Sequence, residues 1–124
     1  MDLCVRNGLD ITVLDWKTNR EIKKRSYYNS SKKKNVMMKY PLNNLEDCNF
    51  NVYQLQLSTY AYMIQQINPE LNIKDLKIVH IDRSGKQTVH NVKYLKEEVE
   101  RMIKHYAKSL KTKELLDRDK PFIQ

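Results

Sequence analysis

The chain has 124 residues, 40% of them hydrophobic and 31% charged, which suits one compact domain with a modest core. Lys and Arg outnumber Asp and Glu by 23 to 15, and the resulting +8 favours phosphate-bearing partners or simply solubility without choosing between them. Cys4 and Cys48 lack any C-x-x-C partner, so neither a zinc site nor a disulfide framework is signalled. No charged leader precedes an apolar stretch and no apolar run reaches about 18 residues, so secretion and membrane spanning are not expected and the setting expected is cytoplasmic.

In chain order, Met1 to Arg6 is short and apolar-rich, Asn7-Gly8 is a strong two-residue turn signal, and Leu9 to Thr18 is rich in β-branched residues, which together predict a β-hairpin. Asn19 to Asn49 lacks periodicity and is crowded with Lys, Asn and Ser, so it reads as a long excursion with one short strand around Val36 to Tyr40. Val52 to Ile67 predicts a helix, capped by Asn49 or Asn51, stopped at Asn68-Pro69, and apolar nearly all round. Leu76 to Arg83 and Gln87 to Tyr94 flank Ser84-Gly85 as a second hairpin. Leu95, Val99, Met102, Ile103, Tyr106 and Leu110 then mark one stripe of a helix that closes the core. The order ββ, loop, α, ββ, α, with apolar residues on both faces of the second strand, predicts an α/β domain whose mixed central β-sheet is covered on both sides by helices.

Asp15-Trp16-Lys17 ends an apolar strand, and alternation puts Asp15 and Lys17 on one face. If Asn7-Gly8 forms the turn, paired residue numbers sum to 15, Asp2 opposes Val13, and Asp2 is the diagonal neighbour of Asp15 at roughly 7 Å. Two carboxylates there, with the main-chain carbonyl of Trp16, suit Mg²⁺ or Mn²⁺, and the Lys17 ammonium beside them suits phosphodiester hydrolysis. The triplet by itself is weak, since Glu21-Ile22-Lys23 and Asp75-Leu76-Lys77 repeat it; only Asp15 has a strand to fix it and an acidic residue one hairpin upstream. The bland reading is an exposed ion pair beside a frayed terminus.

On the first helix Gln56 and Tyr60 stand four residues apart, and Tyr53 extends their face, so an amide and a phenol interrupt an apolar surface. Either is also a common structural residue. Asp2, then Asp15-Trp16-Lys17-Thr18, then Gln56 through Tyr60 resembles the RecB-like, Cas4-like exonuclease branch of the PD-(D/E)xK nucleases, over about the first half of the chain, to residue 67. The resemblance implies a restriction-endonuclease-like core, Asp2 and Asp15 as metal ligands, Lys17 as catalytic lysine, and Gln56 and Tyr60 as helix residues that hold DNA. Two features depart from that pattern: the helix that precedes the first aspartate strand is lacking, and so are the four cysteines of an iron-sulfur cluster, so no cluster is expected.

Arg20, Lys23, Lys24, Arg25, Lys32, Lys33 and Lys34 crowd the excursion with Tyr27-Tyr28 among them, a composition that fits backbone tracking and base stacking, or a solvated surface. His80 and His90 lie near one another across the second hairpin without a third ligand and are given no catalytic role. The expectation is a single nuclease-like domain over residues 1–124, or a piece of a larger nuclease. It would hydrolyse DNA with Mg²⁺ or Mn²⁺ during processing, recombination or repair in a bacterial or phage-infected cell. Its expected partners are DNA that is single-stranded or has free ends, and a helicase or other parent-protein domains. The alternatives are a catalytically incomplete module that binds nucleic acid, and an interaction module whose acidic pair is accidental.

Overall fold

The computed structural model describes residues 2–118, with side chains for residues 3–116. The elements are β1 (Asp2–Asn7), β2 (Asp10–Lys17), β3 (Tyr28–Asn29), β4 (Lys34–Asn35), α1 (Asn49–Ile67), β5 (Asn72–Ile81), β6 (Gln87–Val92) and α2 (Lys96–Arg118). The main sheet runs β1-β2-β5-β6, with β1 antiparallel to β2, β2 parallel to β5 and β5 antiparallel to β6. The fold is therefore α/β with a mixed sheet. A parallel neighbour cannot be reached by a tight turn, and α1 lies in the crossover that joins β2 to β5.

The first hairpin forms in a different register from the one expected. Asn7 pairs with Asp10, Gly8 and Leu9 make the loop, and Asp2 stands directly opposite Asp15 instead of opposite Val13. Gly8 takes the first loop position at φ 63°, where a side chain would be strained. Asp10 is drawn into the strand from the other side, since Asn72 Nδ2 donates to Asp10 Oδ1 (3.1 Å) and Asn72 N–H donates to the Leu9 carbonyl (2.7 Å). The shift moves each pairing by two residues, which preserves the face that every position occupies.

The excursion holds the β3–β4 hairpin in place of the single strand expected over Val36 to Tyr40; Met37 only meets Glu46 in an isolated bridge. The Asn29 Oδ1 accepts from the Ser31 and Lys32 backbone N–H groups, so a side-chain turn folds the chain back before that stretch begins. Helix α1 starts three residues earlier than expected, with Cys48 as N-cap and no side-chain cap. Asn49 is not the cap because its amide is spent on the excursion, accepting from Lys23 N–H (2.6 Å) and donating to the Glu21 carbonyl (2.9 Å).

Ile11 and Val13 of β2, Leu76 and Ile78 of β5, and Leu57 and Ala61 of α1 form the buried core. Helix α1 packs on β2 and β5, and α2 packs on α1. The expectation of a sheet covered on both sides is thus not met among the described residues. Opposite α1 the sheet presents Leu3, Val5 and Val89, 44%, 46% and 54% exposed, beside half-buried Leu14 and Trp16. α1 is apolar nearly all round because it is the middle layer, with the sheet on one side and α2 on the other. The stripe on α2 also buries less than expected: Leu95 and Val99 are buried, whereas Ile103, Tyr106 and Leu110 lie open to solvent. Among the described residues no helix is long and apolar enough to cross a membrane.

Two buried polar residues of α1 set where α2 begins. Ser58, fully buried, accepts from the Leu95 N–H through Oγ (2.9 Å) and donates to the Lys93 carbonyl (3.3 Å). Gln54 Oε1 accepts from Lys93 N–H (2.8 Å). Ser58→Ala leaves a buried amide without its partner, so it is expected to cost about 2 kcal/mol. Thr59→Ala, which loses only a bond back to the Leu55 carbonyl of its own helix, serves as the near-neutral comparison. Urea midpoints at unchanged slope measure both.

Candidate active site

Asp15 and Lys17 occupy the end of β2 at the carboxyl edge of its parallel pairing with β5, the edge where open α/β sheets place their ligands. Asp15 is 2% exposed, a buried carboxylate. Strand alternation brings Lys17 onto the same face, and its Nζ lies 3.0 Å from Asp15 Oδ2. The ammonium also sits 4.4 Å from the centroid of the Tyr53 ring, so Tyr53 holds the lysine from below through a cation–π contact. His80, the register partner of Lys17, bonds the Asn19 carbonyl through Nε2 (2.6 Å); a carbonyl only accepts, so the ring nitrogen donates. That bond fixes the direction in which the chain leaves β2.

Above these residues opens a cavity of about 770 Å³ whose wall includes Asp15, Lys17, Gln56 and Tyr60. The strand motif and the helix pair therefore meet in one place. Gln56 and Tyr60 are exposed, and neither side chain hydrogen-bonds another described residue, which leaves an amide and a phenol at the opening. Met38, Leu42, Val52, Leu55 and Met102 supply an apolar wall. An apolar wall lowers the local dielectric and strengthens every charge interaction inside.

The other predicted residues fall in three groups. Asp2 holds the register position directly across from Asp15, but its side chain lies outside the described residues. Trp16 does not line the cavity, since alternation turns its side chain to the opposite face of the sheet. None of Arg20, Lys23, Lys24, Arg25, Lys32, Lys33 and Lys34 lines it either. Lys23 pairs with Glu21 (3.3 Å), Lys24 lies over the Phe50 ring, and Arg25 with Ser26 binds Glu46, whose carboxyl is held below its ordinary range chiefly by the Arg25 hydrogen bond. Arg20, Lys32, Lys33 and Lys34 are solvent-exposed. Asp75 and Glu21, heads of the two rival triplets, do not reach the cavity.

His80 and His90 are diagonal neighbours across β5 and β6, and neither lines the cavity. Burial holds the His90 imidazole below its ordinary pKa, with Lys24 and His80 adding to the effect, so the neutral ring is favoured.

Sequence reasoning missed Lys39 and Asp47, which both line the cavity from the excursion. The excursion has no periodicity to place them. They are brought in by backbone bonds across a loop within the excursion, Met38 N–H to the Leu45 carbonyl (2.8 Å) and Asp47 N–H to the Val36 carbonyl (2.9 Å). Among the described residues no three His, Cys, Asp or Glu side chains cluster tightly enough to hold a metal ion. A scan against family models, a search of curated proteins and a search of solved structures each return no match to the chain.

Proposed function

We propose that the chain is the metal-binding and DNA-gripping part of a divalent-metal-dependent deoxyribonuclease of the PD-(D/E)xK type, an exonuclease acting on DNA that is single-stranded or has free ends. The observation that carries this reading is the convergence of Asp15, Lys17, Gln56 and Tyr60, from two elements far apart in sequence, on one cavity. The donor set suits a hard cation: the buried Asp15 carboxylate, the position of Asp2 directly across the ladder, and the Trp16 carbonyl offer oxygen, which Mg²⁺ and Mn²⁺ prefer. Such an ion, when bound, acidifies a water and offsets charge that builds on the phosphate. Lys17, held by Tyr53 and paired with Asp15, places a positive charge where the attacked phosphate would lie. Gln56 offers donors and an acceptor to phosphate or base edges, and the half-exposed Tyr60 ring offers a stacking face.

A second reading is a nuclease-like module that binds nucleic acid without cutting it, through the same exposed Gln56 and Tyr60 side chains at the cavity. Incubation of labelled linear and circular DNA with Mn²⁺ decides between the two. The nuclease reading expects wild-type protein to degrade linear DNA and Lys17→Ala to lose at least about a hundredfold in rate. Metal-independent binding without cleavage would select the second reading. Equal degradation by both proteins would remove the assignment.

A further inference from the structure

A second cavity, of about 710 Å³, lies between α2 and the Tyr40–Pro41 segment of the excursion. Arg101, Lys104, His105, Lys108 and Lys113 line it, and no carboxylate does. Arg101, Lys104 and Lys108 stand three and four residues apart and so share one side of the helix, while Lys113 borders the groove from the opposite flank. Among the described residues Lys104, Lys108 and Lys113 take part in no salt bridge. Arg101 is oriented from the excursion, donating through Nη2 to Asn44 Oδ1 (2.7 Å). Arg101 also lies 3.9 Å from Glu98, so the uncompensated charge is that of Lys104, Lys108 and Lys113, whose mutual repulsion a polyanion relieves.

We propose that this groove is a second contact for nucleic acid, a track for the phosphodiester backbone of the strand whose end enters the Asp15–Lys17 cavity; the strand's identity as DNA rests on the function proposed above. Three observations favour a nucleic acid over an acidic peptide. The groove continues from the first cavity: Lys39 and Met102 line the first, and their chain neighbours Tyr40 and Arg101 line the second. Tyr40 stands edge-on to His105 with ring centroids 5.4 Å apart and is 72% exposed, which leaves a ring face for a base. From Arg101 to Lys113 the helix rises roughly 18 Å, the reach of about five phosphates of a stacked strand.

The test is fluorescence anisotropy of the full chain, in EDTA to prevent cleavage, with labelled oligo-dT of about five nucleotides, enough for one cavity, and about 20, enough for both. The variants are Lys104→Ala/Lys108→Ala and a charge-matched comparison, Lys74→Ala/Lys86→Ala, at exposed positions that line neither cavity. Alanine favours helix, and circular dichroism verifies the fold. The groove variant is expected to bind the long oligomer about tenfold more weakly and to lower its log–log salt slope by about 1.4, two single-strand phosphate contacts, while the short oligomer is unaffected. The proposal is overturned if the groove variant matches the comparison variant, if both oligomers weaken alike, or if polyglutamate displaces the long oligomer better than unlabelled DNA. Failure of the nuclease reading appears elsewhere, as Asp15→Asn cutting like wild type, and leaves this binding comparison intact.

Discussion

Asp15→Asn is expected to slow Mn²⁺-dependent cleavage of linear DNA by on the order of a thousandfold or more, because it removes one anionic oxygen donor and the counter-charge that positions Lys17 in a single step. Asparagine keeps the volume and planar shape of aspartate, and its amide retains hydrogen-bonding capacity in a site that is 2% exposed. The Lys17 side chain is 23% exposed, so the released ammonium reaches water and is not stranded. Fold and thermal stability should therefore stay close to wild type while activity collapses. Titration of Mn²⁺ followed by calorimetry provides a second readout, in which the variant shows weakened metal binding. Wild-type cleavage and metal affinity in a folded Asp15→Asn protein would exclude Asp15 as a ligand. Retained metal binding with lost cleavage would instead place its role in orienting Lys17.

The parts of this site that can be read from the sequence are those governed by a repeat. Alternation in Asp15-Trp16-Lys17 assigns two side chains to one face, and the helix repeat superposes Gln56 on Tyr60; both relations hold in the structure. The strand register was harder to read, because Asn7-Gly8-Leu9 allows Gly8 to be either the first or the second residue of a two-residue loop. The choice is made by Asn72, which is 62 residues from Asp10 in sequence and bonds both the loop and the strand beside it. Either register leaves Asp2 and Asp15 on one face, because a shift of two residues keeps every side chain on its side of the sheet. A shift of one would have sent Asp15 to the side of Leu14.

Lys39 and Asp47 have no such protection. Each sits where backbone bonds within the excursion's own loop place it, and a segment without period gives no hint of those bonds. The solvent-facing cations on α2 are equally hard to read from sequence, because an amphipathic helix advertises its apolar stripe. In this helix the stripe is buried only as far as Val99, with Met102 half-buried, so the polar side carries the more informative pattern beyond it.

Leu57→Ala is expected to destabilise the fold more than any other single truncation discussed, by about 3 to 4 kcal/mol. Leu57 is 1% exposed and belongs to the cluster in which α1 meets Ile11 and Val13 of β2 and Leu76 and Ile78 of β5. It also forms part of the wall of the first cavity, between Gln56 and the buried Ser58. Truncation leaves a void on the inner face of α1 that the sheet cannot fill without moving, and close-packed interiors resist such movement. For a chain of this size the loss corresponds to a fall in Tm of roughly 10 to 15 °C by calorimetry. Leu57→Met, which keeps the volume, should cost less than about 1.5 kcal/mol. If the void lets α1 settle toward the sheet, Gln56 and Tyr60 move with it. DNA affinity measured well below the new Tm should then fall for Leu57→Ala and not for Leu57→Met. Equal affinities for both folded variants would show that the helix face holds its place without the side chain beneath it.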